Sequence, residues 1–210
     1  MMAQRFRDVA MIGVSIGVMA LAAPAEARQI GERAPQVLIG VTFTQIGFDA
    51  AANLGVEWHK GFAAGVGFPI PIKNSPITIN PEVLFVQKGG TVVSSVIEQI
   101  QLNYIQISPE VQLDVLPAIG GRTIVLTVAP TFNVNLSASN EVNGQKVNIK
   151  DAVERFETGL VFGAVTPLVK GILDVGGRVE WDLTRLFRNP HSTGKNRALL
   201  IFVRPHIFRE

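Results

Sequence analysis

QLNYIQISPEVQLDVL, residues 101–116, has two chemically different faces. From Ile105 to Val115 every odd position is apolar or proline, and the even positions between them, from Gln106 to Asp114, are all polar. Successive side chains of a β-strand point to opposite faces, so this period of two predicts a strand between an apolar and a polar medium. The rest of the chain decides which medium is lipid and which is interior.

The first 27 residues have the pattern of a secretory signal peptide. Arg5 and Arg7 precede an apolar run over residues 9–23, and Ala25-Glu26-Ala27 offers a small-x-small cleavage site. The alternative, a membrane anchor, is disfavoured because a spanning helix needs about 20 apolar residues. We therefore predict a signal peptide at residues 1–27 and one domain at residues 28–210.

Charge and cysteine content narrow the class of protein. The chain has 210 residues, no cysteine and a formal net charge of +2. Cleavage of the predicted signal peptide would remove two arginines and two acids (Arg5, Arg7, Asp8 and Glu26), so the net charge of the mature chain stays at +2. This balance is not typical of nucleic-acid binding. No remaining stretch is apolar for long enough to form a transmembrane helix, so a membrane form of this protein must be a β-barrel.

The chain after the leader contains eight segments with strand character. They are residues 37–45, 56–70, 77–88, 101–116, 122–137, 156–168, 173–183 and 197–208. The predicted connections alternate long and short, with loops at 89–98, 138–154 and 185–196 and turns at 71–76, 117–121 and 169–171. An even strand number with long loops at one end is typical of bacterial outer-membrane barrels. We predict an all-β, eight-stranded antiparallel transmembrane up-and-down β-barrel.

The two faces of the strands are then assigned to lipid and lumen. The apolar face is predicted to contact lipid, because a charge at the bilayer midplane costs about 2 to 4 kcal/mol. The polar face is predicted to form a lumen network of Glu82, Glu110, Asp114, Glu157, Asp174, Arg178, Glu180 and Asp182. Arg178, with Arg155 and Arg204, is expected to bridge carboxylates there. Pro109 and Pro130 lack an amide donor and are expected to mark bulges or strand ends.

Several of these strands resemble the outer-membrane β-barrel domain family of the PorT-like kind. The run GFAAGVGFPIPIKNSPITINPEVLFVQKGG, residues 61–90, is followed by LNYIQISPEVQLDV, residues 102–115, and FETGLVFG, residues 156–163, is similar to a later strand of that family. The resemblance implies an outer-membrane location. Barrels of this kind end on an aromatic residue that the barrel-insertion machinery reads, which points to Phe208 of the C-terminal strand.

Catalytic and metal sites are not expected. One strand carries Asp174, Arg178, Glu180 and Asp182 on one face, and acids mixed with an arginine favour an ion-pair network over an active site. The three histidines are scattered over different segments, and no spacing identifies a nucleophile. Gly61, Gly65 and Gly67 are interpreted as room for large inward neighbours rather than a phosphate loop, since no helix follows. We predict no catalytic residue, cofactor or metal.

The expected function is a non-enzymatic, structural or surface-interaction role through extracellular loops. A small-ligand binding or transport barrel is the alternative, and an enzyme acting on membrane lipid comes third. Arg185, Arg188 and Lys195 form a basic loop that either contacts lipopolysaccharide phosphates or is merely solvated.

Overall fold

The structure, a computed structural model, describes residues 35–47, 55–93, 97–118, 122–169, 172–184, 186 and 195–205. Its strands are β1 Gln36–Gly47, β2 Gly55–Glu57, β3 His59–Gly67, β4 Ile70–Pro71, β5 Ile77–Val93, β6 Ile97–Ala118, β7 Arg122–Val142, β8 Gln145–Asn148, β9 Phe156–Val169, β10 Leu173–Asp182 and β11 Lys195–Pro205. A short 3₁₀ helix, Lys150–Ala152, lies between β8 and β9. Within these ranges no helix is long and apolar enough to cross a membrane.

The eight longer strands form a closed antiparallel barrel. Around the wall the order is β1, β3, β5, β6, β7, β9, β10, β11, and every neighbouring pair is antiparallel. The first strand closes on the last, with Ile39 opposite Val203. The predicted fold class is confirmed. Closure leaves these eight strands without a free edge, as a bilayer requires.

Strand β6 has the two faces that its sequence predicts. Ile107, Val111 and Leu113 are exposed on the outside, whereas Gln106, Glu110 and Gln112 are buried inside. Residues 105–115 span ten intervals of about 3.4 Å, or about 26 Å of bilayer at a tilt of about 40°, which matches an apolar band of ~25 Å. The odd residues of β6 from Ile105 to Val115 therefore face lipid.

Three strands continue beyond the apolar band at the loop end. β5 extends to Val93 and β6 begins at Ile97, so the loop predicted for 89–98 is wrong at 89–93 and 97–98, and its residues 94–96 lie outside the described part of the chain. The segment predicted as a loop at 138–154 begins instead as strand, because β7 continues and turns into β8 at Asn143-Gly144. Both turn residues have positive φ, 52° and 78°, which is the type I′ geometry favoured for Asn-Gly hairpins. The short hairpin expected there is confirmed.

Pro109 and Pro130 neither end a strand nor shift its register. The β6–β7 ladder pairs Ile107 with Phe132 and Val111 with Val128, so the two prolines lie opposite each other in the unpaired interval between these positions. Neither proline has an amide hydrogen to donate. The expectation of a bulge or strand end is wrong here, and the wall contains a local gap in its ladder instead.

Other boundaries also differ from the prediction. The second predicted strand is divided into β2, β3 and β4, with breaks at Trp58 and at 68–69. The last strand begins at Lys195 rather than Arg197, because β1 extends to Gly47 and pairs with it. The predicted signal peptide at 1–27 and the C-terminal Phe208 lie outside the described residues.

Candidate functional site: the lumen and the loop-side rim

A cluster of four charged residues crosses the lumen in its turn-side half. Arg178 on β10 makes a bidentate contact with Glu82 on β5, and its Nη2 lies 2.9 Å from Glu82 Oε1 and 2.8 Å from a Glu110 carboxylate oxygen. Arg204 on β11 lies 2.8 Å from Glu82 and 3.1 Å from Glu110. Each arginine thus contacts both carboxylates, and the two opposite charge pairs balance. We call Glu82, Glu110, Arg178 and Arg204 the ionic cluster.

The ionic cluster is completed by neutral neighbours. Asn80 donates to Glu82 at 2.8 Å, and Gln112 donates to Glu110 at 2.7 Å. The ring of Phe202 lies 4.7 Å from the Arg178 guanidinium and 5.0 Å from that of Arg204. Stacking on an aromatic face suits a planar guanidinium better than an ammonium. Phe202 and Arg204, two residues apart on β11, can therefore both lie on its inward face.

A second cluster lies in the loop-side half, around Lys88. The ammonium of Lys88, which is 0% exposed, lies 3.0 Å from Glu180 and 3.1 Å from Asp182. Glu180 also accepts hydrogen bonds from Gln106, Thr131 and Asn133. Tyr104 donates to Glu157 at 2.6 Å, and its ring lies 5.5 Å from the Lys88 ammonium. The position that a cation would take among these acids is occupied by Lys88. We call Lys88, Tyr104, Glu157, Glu180 and Asp182 the lysine cluster.

Hydrogen-bond donors matter as much as cations in this lumen. Among the described residues, five carboxyl groups and three cations are buried inside the barrel. Cations alone therefore do not pair every acid. Neutral donors such as Tyr104 and Gln106 supply the remaining contacts, as buried charge requires.

Apolar side chains fill much of the remaining interior. The prediction that the inward face is polar therefore holds only for part of the lumen. One buried cluster includes Leu84, Val86, Leu200 and Phe202. A second, at the loop end, contains Ile46, Ile100, Leu102, Tyr104, Ala138, Val153 and Leu186. Val153 and Leu186 come from the connections after β8 and β10, and Glu154 donates its amide to the Leu186 carbonyl at 2.9 Å. Val153 and Leu186 therefore pack in one cluster with Tyr104 of the lysine cluster on the loop side.

A small cavity lies between the two charged clusters. Its lining includes Thr42, Gln106, Arg178 and Glu180, and it has room for about one water molecule. An eight-stranded barrel is just wide enough for its own side chains. The lumen is therefore a packed interior in the part of the barrel that the structure describes.

The predicted lumen residues are placed as follows. Six are buried and belong to the two clusters: Glu82, Glu110, Glu157, Arg178, Glu180 and Asp182. Asp114 and Asp174 are half-buried near the turn end. Arg155 is exposed and lies over the ring of Phe156, so its predicted inward position is wrong. It precedes the first residue of β9 and is not held by the alternation of that strand.

Other predicted positions lie elsewhere or outside the description. Lys195 is the first residue of β11 rather than part of a loop. Arg185 and Arg188 lie outside the described residues. The sequence reasoning did not include Lys88 and Tyr104 in the network. Their even positions, which share the inward side of β5 and β6 with Glu82 and Glu110, are the signal that would have identified them.

The small residues of β3 make room for large neighbours, as the sequence suggests. A Cβ atom on Gly65 would collide with the Val83 carbonyl oxygen and would lie 2.7 Å from the Leu84 side chain. A side chain at Gly65 would therefore require the backbone of β5 to move.

The outer face of the barrel has a rim of aromatic and basic residues at the loop end. Trp58 is 53% exposed, and Lys60, two residues further along the chain, is also exposed. Further around the same outer face, Trp181 on β10 is 41% exposed and pairs with the exposed Arg197 on the neighbouring strand β11. We call Trp58, Lys60, Trp181 and Arg197 the loop-side rim. Tryptophans at this level are typical of the boundary between lipid and water.

Comparison with known proteins gives the family. Two solved structures are similar over most of the chain. Neisserial surface protein A has 13% identity and a TM-score of 0.49, and the match covers 82% of this chain and 97% of that one. Ail of Yersinia pestis, in complex with the heparin analogue sucrose octasulfate, has 12% identity and a TM-score of 0.43, and the match covers 81% of this chain and 96% of that one. No curated protein matches the sequence. A family model described as outer membrane protein beta-barrel domain matches residues 25–188. The narrower PorT-like assignment remains a prediction. The closed eight-stranded wall, its apolar outer face and this match agree: the chain belongs to the outer membrane β-barrel domain family and is a protein of the outer membrane.

Proposed function

We propose that this protein is a non-enzymatic, non-conducting barrel with a structural or surface-interaction role that its extracellular loops carry out. The observation that supports this proposal is the packed lumen. Lys88, Glu110 and Tyr104 are each 0% exposed in the middle of the barrel, with direct partners for their polar groups. A solute pathway needs space that these side chains occupy.

The loop end offers the surface for an interaction. β5, β6 and β7 are 17, 22 and 21 residues long, whereas β10 has 10. The additional length extends past the apolar band, and β8 adds a hairpin there with Val147 56% exposed. Strands that continue beyond the lipid hold a rigid surface outside the membrane.

Three finer assignments belong to the same proposal. Residues 1–27 serve as a signal peptide that is removed on export. The C-terminal strand is recognised by the barrel-insertion machinery. Arg185, Arg188 and Lys195 contact the phosphates of lipopolysaccharide. Replacing all three with glutamine is expected to weaken lipopolysaccharide association, and an unchanged association would exclude this contact.

Single-channel recording in planar bilayers tests the main proposal. We expect no steady current above the bilayer background from inserted barrels. Insertion is verified on the same sample by heat-modifiable gel mobility, so that a missing current does not reflect missing protein. A stable, reproducible conductance would favour the alternative, a barrel that binds or transports a small solute.

A further inference from the structure

Two exposed cations lie on the outer wall at the loop-side rim, each beside a tryptophan. We propose that Lys60 and Arg197 form a binding site for the phosphate groups of outer-leaflet lipopolysaccharide. This site is on the barrel wall, is formed by residues of β3 and β11, and does not include Arg185, Arg188 or Lys195. It rests on the proposed orientation, in which the long connections face the cell exterior.

Strand register brings the two cations together. Lys60 on β3 lies opposite Phe43 on β1, and Gln45, two residues further along β1, lies opposite Arg197 on β11. Two strand spacings of about 4.8 Å and a rise of about 6.8 Å separate their Cα atoms by roughly 12 Å. Side chains as long as lysine and arginine can converge on one headgroup from this separation.

Lys60 and Arg197 have no acidic partner in the part of the chain that the structure describes. Within the described residues, no ion pair joins Lys60 or Arg197 to an acid. The nearby acids of β10, Glu180 and Asp182, are buried inside the barrel and contact Lys88. The outer wall at this height therefore carries positive charge toward the surrounding membrane.

The neighbouring residues select the occupant. Phe62 and Ile201, on the same outer faces as Lys60 and Arg197, are 49% and 46% exposed and belong to the lipid-facing surface. The two cations continue this surface at the end where Trp58 and Trp181 lie, which is the level of lipid headgroups. On the long-loop side of an outer-membrane barrel those headgroups belong to the outer leaflet, whose phosphorylated lipid is lipopolysaccharide.

The chain itself supplies a reporter for this site. It contains only two tryptophans, Trp58 and Trp181, and both belong to the loop-side rim. Full-length barrel in phosphatidylcholine bilayers is titrated with lipopolysaccharide while tryptophan emission is recorded. Each basic residue near an anionic surface contributes to the binding free energy. A single glutamine variant, Lys60→Gln or Arg197→Gln, should therefore raise the half-saturating lipopolysaccharide fraction roughly fivefold. The double variant should raise it roughly thirtyfold.

Matched variants and lipids make the result decisive. Lys73→Gln removes an exposed positive charge from the turn at the opposite end and should leave the titration unchanged. Lys60→Arg keeps the charge and should bind like the unmodified protein. Dephosphorylated lipopolysaccharide should give little response, and phosphatidylglycerol should respond much more weakly than lipopolysaccharide.

The site would be excluded by any of four results: no emission change in the unmodified barrel, no weakening in the double variant, equal weakening in Lys73→Gln, or an equal response to dephosphorylated lipopolysaccharide. An equal response to phosphatidylglycerol would overturn the assignment to lipopolysaccharide. None of these results alters the proposed non-conducting barrel, which only a bilayer current contradicts.

Discussion

Replacing Arg178 with methionine should remove much of the stability of the barrel. Arg178 supplies three charged contacts, two to Glu82 and one to Glu110. Without it, Arg204 alone faces two buried carboxylates, so the ionic cluster changes from two cations and two acids to one cation and two acids. Breaking a buried pair by removing one partner costs about 3–5 kcal/mol. We expect a loss of this size, since methionine keeps an apolar stem like that of arginine but removes the guanidinium and its charge.

The free energy of unfolding is measured by urea titration of bilayer-inserted protein, with tryptophan emission and gel mobility as two probes. Lys73→Met is the control, because Lys73 is exposed in a turn and should change stability by about 0.5 kcal/mol or less. Adding Glu110→Gln to Arg178→Met restores a balance of one cation to one carboxylate and should recover part of the loss. A cost below about 1 kcal/mol for Arg178→Met, or a double variant less stable than the single one, would refute the ionic cluster as a stabilising unit.

Two further substitutions test the wall of the barrel. Ile107→Lys places a charge on the lipid face of β6 and should lower the free energy of unfolding by about 2–4 kcal/mol. Gln101→Lys, on the same strand above the apolar band, should lower it little. Equal effects of the two variants in urea unfolding would contradict the position of the band. Gly65→Ala should lower the yield of folded, heat-modifiable barrel, because its Cβ would collide with the Val83 carbonyl oxygen. An unchanged yield would show that β3 and β5 are not packed this closely.

The period-two alternation predicted the fold because each lipid-exposed strand has two different media on its two sides. It failed where the residues themselves do not alternate. Residues 89–93 (GGTVV) and 138–142 (ASNEV) show no regular change between apolar and polar side chains, so the sequence pattern does not distinguish strand from loop there. At Leu84 and Val86 the inward face is apolar, which weakens the alternation of β5 although the strand is continuous.

The individual contacts of the lumen could not be predicted from the sequence. Lys88 lies 92 residues from Glu180, and Arg204 lies 122 residues from Glu82. Sequence alternation gives the side of the wall on which a residue lies, but not its height or its partner across the barrel. Phe202 and Arg204 share the inward face of β11, where Arg204 pairs with Glu82 and Glu110 and its guanidinium lies over the Phe202 ring.

The central claim is a closed barrel in which the odd positions of β6 from 105 to 113 face lipid. The accessibility of spin labels along β6 to oxygen tests this claim most directly. The chain has no cysteine, so single cysteines at positions 105–114 can each carry a spin label without background. In bilayers we expect collision with oxygen to be high at Ile105, Ile107, Val111 and Leu113 and low at the even positions between them. Uniform accessibility, or high accessibility at Gln106, Glu110 and Gln112, would contradict the account.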